Sequence, residues 1–154
     1  MLLLLDIDGV MVPAKGWKKP ELLKDGFPAF SNNAIDALRK LIDQETTIVL
    51  TTSHKSNYAL EEWKQIFKNR GIQVENMIAL PKNIHSLNRR EEIVNWLNDN
   101  HYFGRLAIID DDTSLNDLPN YLKRHLLLTS PLVGLTTEHL ESIREILSKH
   151  LEPA

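Results

Sequence analysis

The sequence predicts an α/β fold in which helices cover both faces of a central parallel sheet. Two observations support this prediction: short apolar segments alternate with segments of helical periodicity, and the predicted strands are apolar throughout. A strand without polar alternation is typical of a parallel sheet that is buried between two layers of helices. The chain has 154 residues, enough for one core, and no linker, repeat or low-complexity segment divides it. We therefore expect a single domain over residues 1–154.

Five short apolar runs, each bounded by charged or turn-forming residues, are predicted as strands. They cover residues 2–5, 46–50, a short strand within 72–80 that ends at Pro81, 105–110 and 125–129. The second run, TTIVL, is also rich in β-branched residues, which favour strands.

Four helices are predicted between and after these strands, because apolar residues recur three and four positions apart. The first begins at a capping residue, either Ser31 or Asn32. The second ends at Gly71, the third lies in RREEIVNWLN, and the last follows Thr136. Residues 10–30 contain three prolines and two glycines, so we expect irregular structure there, with room for a small hairpin.

Composition and charge exclude several classes of function. The formal net charge of −3 argues against a general nucleic-acid-binding surface and leaves a local basic site open. The absence of cysteine excludes disulfides, thiolate metal sites and cysteine nucleophiles, and the six histidines lack metal-ligand spacing. The apolar start ends at Asp6 without a basic leader, and no run is long enough to span a membrane. We therefore expect a soluble cytoplasmic protein.

Three predicted strands end in polar residues. These residues are Asp6 and Asp8 after the first strand, Thr51 and Thr52 after the second, and Asp110 and Asp111 at the fourth. Ligands bind open parallel sheets at the edge formed by the carboxyl ends of the strands. Four carboxylates would meet there if these strands are neighbours. Each like-charge contact at about 4 Å costs about 4 kcal/mol at an effective dielectric constant of about 20, and a divalent cation removes that cost. Oxygen ligands without cysteine favour Mg²⁺, which usually also binds a substrate phosphate.

The segment LLLLDIDGV resembles the first motif of the haloacid dehalogenase (HAD) superfamily. The other motifs of that superfamily have matches in the same order: Thr51 after the second strand, Arg89 or Arg90 before the fourth, and the acidic segment AIIDDD. The resemblance covers nearly the whole chain. It implies a three-layer α/β/α Rossmann-like fold, and the short segments between the motifs leave no room for a sizeable cap domain.

The resemblance also implies a Mg²⁺-dependent phosphomonoester hydrolase. Asp6 would attack phosphorus and carry a transient aspartyl-phosphate, and Asp8 would protonate the leaving oxygen and then activate water. Thr51 would hydrogen-bond the phosphoryl group, and Arg89 would stabilise its charge. The implied metal ligands are Asp6, the backbone carbonyl of Asp8, Asp110, and Asp111 directly or through water. Further residues expected near the substrate are Gly9, which allows a sharp turn, Thr52, Lys55 and Arg90.

More narrowly, the segments IVLTTS, RREEIVNWL, IIDDD and LLLTSPLVGLTTEHL resemble the phosphatase-like domains of bacterial RNA-repair systems. An open site without a cap favours a large phosphorylated substrate, such as an RNA or DNA end or a phosphoprotein. The segment KGWKKP supplies Lys15, Trp17, Lys18 and Lys19, which could contact a polynucleotide backbone and stack a base.

Simpler interpretations stay open beside these. Asp6 and Asp8 could end a strand and begin a turn, and Thr51, Thr52 or Ser53 could cap a helix. KGWKKP could be a solvated loop. A phosphate-accepting receiver domain is disfavoured, because its acidic pair and its phosphorylated aspartate follow different strands from those found here. The main alternative is a non-catalytic HAD-like module that binds phosphate or a partner, and the oligomeric state is not predicted.

Overall fold

A five-stranded parallel sheet runs through the centre of the protein. The structure is a computed structural model that describes residues 1–14 and 19–151. The strands are β1 (Leu2–Leu5), β2 (Thr47–Leu50), β3 (Asn76–Ala79), β4 (Leu106–Asp110) and β5 (Leu126–Leu128). All five predicted strands are present, and their bounds differ from the predicted ones mainly at the ends. The third differs most, because only the second half of the predicted apolar segment pairs with β2.

Among residues 1–14 and 19–151, five α-helices accompany the sheet. They are α1 (Asn32–Leu41), α2 (Leu60–Asn69), α3 (Arg89–Asn100), α4 (Asn120–Lys123) and α5 (Leu140–Leu147). Short 3₁₀ helices span Lys55–Asn57, Thr113–Asp117 and Thr137–His139. Ser31 caps α1, since its hydroxyl accepts a hydrogen bond from the Ala34 amide at 3.1 Å. The sequence did not predict α4, because one turn of helix is too short to show helical periodicity.

Alternate residues of the strands face two different helical layers. In β1, Leu3 and Leu5 belong to a core shared with α1, α2 and α5, whereas Leu4 packs with residues of α3 and α4. Both faces are buried, so the strands can be apolar throughout. This three-layer arrangement confirms the predicted α/β/α Rossmann-like fold. Within the described residues, no additional cap domain accompanies it.

The order of the strands creates a crevice at one point of the sheet. The order is β3-β2-β1-β4-β5, so the chain moves outward from β1 and then returns to place β4 beside β1. Leu5 pairs with Ile109, and the Asp6 amide donates to the Ile109 carbonyl at 3.1 Å. Asp6, which follows β1, and Asp110, the last residue of β4, are therefore neighbours at the edge of the sheet. This pair lies at the topological switch point, where open parallel sheets bind ligands.

A small hairpin precedes α1, as the sequence allowed. Leu22 and Pro28 form an antiparallel bridge, and the Leu23 amide donates to the Phe27 carbonyl at 3.0 Å. The buried Arg70 side chain holds this hairpin against the end of α2. Its guanidinium bonds both oxygens of Asp25, at 2.7 and 3.1 Å, and donates to the carbonyls of Phe27 and Pro28.

Over the described ranges, each helix is either too short or too polar to traverse a lipid bilayer. The cytoplasmic location expected from the sequence stays a prediction.

Replacing Asp25 by asparagine is expected to destabilise the fold by about 2–3 kcal/mol at pH 7, because it leaves a buried guanidinium without its counter-charge. The Arg70 hydrogen bonds hold the pKa of Asp25 well below its usual range. The stabilisation is therefore complete above the pKa of an unfolded aspartate and is lost as the pH falls toward the folded value. Urea denaturation followed by circular dichroism at pH 7 and at pH 3 measures both effects.

Asp36 of α1 is exposed and provides the matched control. Asp36→Asn should change the free energy of unfolding by less than about 0.5 kcal/mol. An Asp25→Asn variant as stable as this control would contradict the role given to the Arg70 pair.

Candidate active site

Three carboxylates meet at the carboxyl edge of the sheet. Asp6 directly follows β1, Asp110 ends β4, and Asp111 comes next in the chain. Asp110 is fully buried and Asp6 is nearly so. One carboxylate oxygen from each of the three residues lies within 4.8 Å of the others. The apolar strands thus place acidic groups where little water screens the repulsion between their charges.

Burial and mutual repulsion disfavour the ionised form of this cluster. Burial first, and the Asp110 charge second, raise the pKa of Asp6 from 3.8 to about 9, although the Arg89 charge opposes both. Burial also raises the pKa of Asp111, and the charge of Asp110 adds to that effect. In the folded chain alone, nearby positive charge is therefore too small to stabilise all three carboxylates in their ionised forms.

Asp110 is held in a fixed orientation by the backbone that follows it. Its Oδ1 atom accepts hydrogen bonds from the amides of Asp111 and Asp112, at 2.8 and 3.0 Å. Its Oδ2 atom therefore points toward the other strand ends. Carboxylates that bind metal ions commonly accept such hydrogen bonds from surrounding groups, which fix their orientation.

Arg89 supplies the cation that contacts this cluster. It is the first residue of α3, immediately after the capping residue Asn88. Its Nη1 atom donates to Asp110 Oδ2 at 2.6 Å and lies 3.4 Å from Asp6 Oδ1. Burial alone would lower the pKa of Arg89, but the charges of Asp110 and Asp6 raise it, so the guanidinium is charged. A cation at a helix start opposes the helix dipole, and the acidic cluster explains its presence.

The structure separates the two candidate arginines. Arg90 is half-buried, and within the described residues no ion pair joins it to the acidic cluster. Arg89 is therefore the arginine that the fold brings to Asp6. The predicted role of Arg90 in substrate binding stays a prediction.

The two threonines after β2 have different surroundings. Thr51 is fully buried, and its hydroxyl lies 3.4 Å from Asp110 Oδ2 and 3.5 Å from Arg89 Nη1. Thr52 is also buried, but its hydroxyl accepts a hydrogen bond from the His54 amide at 3.2 Å. Thr51 therefore faces the acidic cluster, whereas Thr52 stabilises the turn that follows the strand.

Asp8 lies apart from the three clustered carboxylates. Its side chain is 58% exposed, and its Oδ2 atom lies 2.8 Å from His54 Nε2. Asp8 and the exposed Lys19 line a cavity of about 750 Å³. Two residues of one short segment thus differ in exposure, with Asp6 inside and Asp8 at the surface.

Gly9 is required by both its backbone and its neighbours. Its φ angle is +80°, a conformation that favours glycine, and a Cβ atom would overlap the Asp111 carboxyl group. Thr129, which follows β5, donates from its hydroxyl to the Gly9 carbonyl at 2.8 Å. The turn after β1 is therefore anchored to a strand more than a hundred residues away in the chain.

Lys55 is paired within the protein. Its ammonium lies 2.9 Å from Glu92 Oε2, and both side chains are almost completely buried. The predicted contact of Lys55 with substrate stays a prediction. Sequence reasoning missed Glu92 entirely, although its position three residues after Arg89 on one helix was a usable signal. It also gave no weight to the contact between His54 and Asp8, which depends on two different loops.

Most of the KGWKKP segment cannot be compared with its prediction. Lys15, Trp17 and Lys18 lie outside the described residues, and Lys19 is exposed beside the cavity at Asp8.

The donor set of the acidic cluster fits a hard divalent cation. Mg²⁺ prefers carboxylate oxygens and usually binds through one or two carboxylates together with water and substrate. The spacing of the three oxygens, within 4.8 Å, allows one ion to contact all of them. A divalent charge would also oppose the burial and the Asp110 repulsion that together raise the pKa of Asp6.

Residues 2–140 match a protein family described as "HAD domain in Swiss Army Knife RNA repair proteins". No curated protein and no solved structure shows significant similarity to the chain.

In metal-free buffer, the protein is expected to lose stability as the pH rises from about 4 toward 9. Folded Asp6 keeps its proton to a pKa of about 9, whereas an unfolded aspartate releases it near 3.8. The folded state then binds more protons, and stability falls by up to about 1.4 kcal/mol per pH unit for one proton. Asp6→Asn should flatten this profile, as should millimolar Mg²⁺ added to the unsubstituted chain. Thermal denaturation in EDTA across this range measures the slope.

Asp36→Asn, on the surface of α1, should retain the full pH dependence. A flat profile of the unsubstituted chain in EDTA, or a melting temperature that ignores Mg²⁺, would contradict the electrostatic account of the cluster.

Proposed function

The chain belongs to the family of HAD domains in Swiss Army Knife RNA repair proteins, and from that premise we propose a Mg²⁺-dependent phosphomonoester hydrolase that acts on nucleic-acid ends. Family membership indicates a HAD-like hydrolase in general. The observation that carries the finer proposal is the meeting of Asp6, Asp110 and Asp111 with Arg89 and Thr51 at the switch point of the sheet.

Asp6 is proposed as the nucleophile. One of its carboxylate oxygens attacks phosphorus, the bond from phosphorus to the ester oxygen breaks, and an aspartyl-phosphate forms. The backbone hydrogen bond to Ile109 fixes Asp6 at the end of β1. A buried carboxylate on a backbone held in this way loses little freedom on attack, which is an advantage of orientation.

Asp8 is proposed as the general acid and base. In the first step its carboxyl group donates a proton to the departing ester oxygen, so the product leaves as an alcohol. In the second step its carboxylate takes a proton from water, and the water oxygen attacks phosphorus. The bond from phosphorus to Asp6 then breaks, which releases phosphate and restores both aspartates. The exposure of Asp8 beside a cavity supports this role, because both the leaving group and the water must reach it.

Arg89 and Thr51 are proposed to bind the phosphoryl group. The guanidinium of Arg89 stabilises charge on the transferring phosphoryl oxygens, and the Thr51 hydroxyl donates a hydrogen bond to one of them. Their separation of 3.5 Å supports binding of one phosphoryl group by both.

Asp6, Asp110, Asp111 and the backbone carbonyl of Asp8 are proposed to hold Mg²⁺. The ion would supply positive charge at the phosphoryl group and would favour the ionised form of Asp6. Gly9 supports this arrangement, because its missing side chain leaves space for the Asp111 carboxyl group.

A large substrate with an exposed phosphate is proposed for two reasons. The family is described from RNA-repair proteins, and no separate cap covers the site among the described residues. Lys19 lies beside the cavity at Asp8 and could contact a polynucleotide phosphate. Thr52, Lys55 and Arg90 were expected near the substrate and remain candidates.

Turnover of p-nitrophenyl phosphate with Mg²⁺ tests the chemistry. Asp6→Asn should abolish turnover, because an amide does not attack phosphorus. Asp8→Asn should reduce kcat/KM, which reports the first step, by about 10²–10⁴-fold for an alkyl phosphate and much less for p-nitrophenyl phosphate, since p-nitrophenolate leaves without a proton. Values of kcat/KM for both substrates, with Asp36→Asn as the control, provide the comparison. Equal losses of kcat/KM for both substrates in Asp8→Asn would contradict the acid role.

A panel of phosphorylated compounds tests the substrate class. We expect kcat/KM to be at least about tenfold higher for 3′- or 5′-phosphorylated RNA or DNA oligonucleotides than for mononucleotides or sugar phosphates. Contacts with parts of the substrate beyond the phosphate would lower the free energy of the transition state. Released phosphate is the readout. Preference for a free sugar phosphate would defeat the argument from the open site, and no turnover of any compound would favour a non-catalytic phosphate- or partner-binding module.

A further inference from the structure

Three charged groups form a continuous buried series that leads away from the acidic cluster. Arg89 contacts Asp110 and Asp6 through Nη1, while its Nε atom lies 3.9 Å from Glu92 Oε1. The other oxygen of Glu92, Oε2, lies 2.9 Å from Lys55 Nζ. Glu92 thus divides its two oxygens between two cations, and only one of those cations reaches the acidic cluster.

Burying these three charged side chains costs desolvation free energy. The side chains of Lys55, Glu92 and Arg89 are 4%, 10% and 11% exposed. A buried ion pair commonly contributes less to stability than a well-packed apolar pair of similar volume. Stability of the fold alone therefore does not explain why these side chains are charged.

The series also joins the two segments that deliver the phosphoryl-binding groups. Lys55 lies in the turn that follows Thr51, and Glu92 lies one turn after Arg89 on α3. The turn is itself anchored, since Trp63 Nε1 donates to the Lys55 carbonyl at 3.1 Å. The Lys55–Glu92 pair therefore connects the end of β2 to the start of α3 close to both groups.

We propose that the Lys55–Glu92 ion pair is a positioning device that sets where the Arg89 guanidinium lies. Glu92 attracts the Nε side of Arg89, and Lys55 neutralises enough of the Glu92 charge to leave Nη1 with Asp110 and Asp6. Without Lys55, the Glu92 carboxylate would draw Arg89 away from the acidic cluster. Without Glu92, a buried ammonium would lack its partner and would repel Arg89. In this role Lys55 and Glu92 act through Arg89, and the role requires no contact of either side chain with substrate.

This inference rests on the proposed function for its effect on turnover, while the placement of Arg89 is measurable without any substrate. In NMR spectra of the whole chain, the Arg89 Nε–H resonance is assigned by its loss in Arg89→Lys. We expect slow exchange of this proton with solvent in the unsubstituted protein. In Lys55→Met the exchange should become at least about tenfold faster and the resonance should shift, because the guanidinium moves.

An apolar double variant separates positioning from simple structural support. Lys55→Met/Glu92→Leu replaces the ion pair by a packed pair and should melt within a few degrees of the unsubstituted protein. The Arg89 proton should still exchange fast in it, and kcat with p-nitrophenyl phosphate should fall by about 10–10²-fold with a smaller change in KM. Lys55→Arg, which keeps the charge, should recover most of both signals.

A double-mutant cycle with Arg89→Ala tests whether the pair acts through that residue. In the Arg89→Ala background, Lys55→Met should cause little further loss of turnover, since interacting residues are not additive. Lys64→Met, which breaks the exposed pair of Lys64 with Glu61 on α2, is the matched control and should change neither signal. Unchanged Arg89 exchange in a folded apolar double variant would overturn the proposal, whether or not the protein hydrolyses phosphate. Absence of turnover with altered exchange would instead count against the proposed function alone.

Discussion

Repulsion between buried carboxylates is the constraint on which the rest of the site depends. Asp6 and Asp110 end neighbouring parallel strands, where the pairing of β1 with β4 leaves them no freedom to separate. The apolar layers on both sides of the sheet exclude the water that would screen them. The cluster must therefore either keep a proton or receive positive charge, from the chain itself or from a bound ion.

The fold brings that positive charge from the first turn of α3. Arg89 reaches the cluster from a helix that begins at the same edge of the sheet, and a Glu92 carboxylate and a Lys55 ammonium lie behind it. Charges alternate in sign from Lys55 through Glu92 and Arg89 to Asp110. Such alternation lets several ionised side chains be buried together, because each has an opposite charge beside it.

The two aspartates of the DID segment have contrasting surroundings although one residue separates them. The Asp6 amide donates to the Ile109 carbonyl and so holds Asp6 at the buried end of β1, while Asp8 lies just before the turn at Gly9 and is exposed. Burial raises the pKa of Asp6 to about 9, and enzymes use carboxyl groups in unlike environments to divide chemical roles. The turn at Gly9 maintains the contrast, since its left-handed backbone brings the chain away from the sheet beside Asp111.

The sequence by itself determined the type of fold and most of the acidic site. Strands β1 and β4 are short and apolar throughout, a pattern that indicates burial on both faces. Asp6, Thr51 and Asp110 stand at the ends of such strands, and the carboxyl ends of parallel strands meet at one edge of the sheet. Tertiary structure alone decided which arginine reaches the cluster, since Arg89 and Arg90 are equivalent until the rotation of α3 is known. It also decided the partners of Lys55 and Asp8, because Glu92 and His54 come from segments that are distant in the chain. Local patterns carry information about burial, whereas contacts between loops depend on how the helices pack on the sheet.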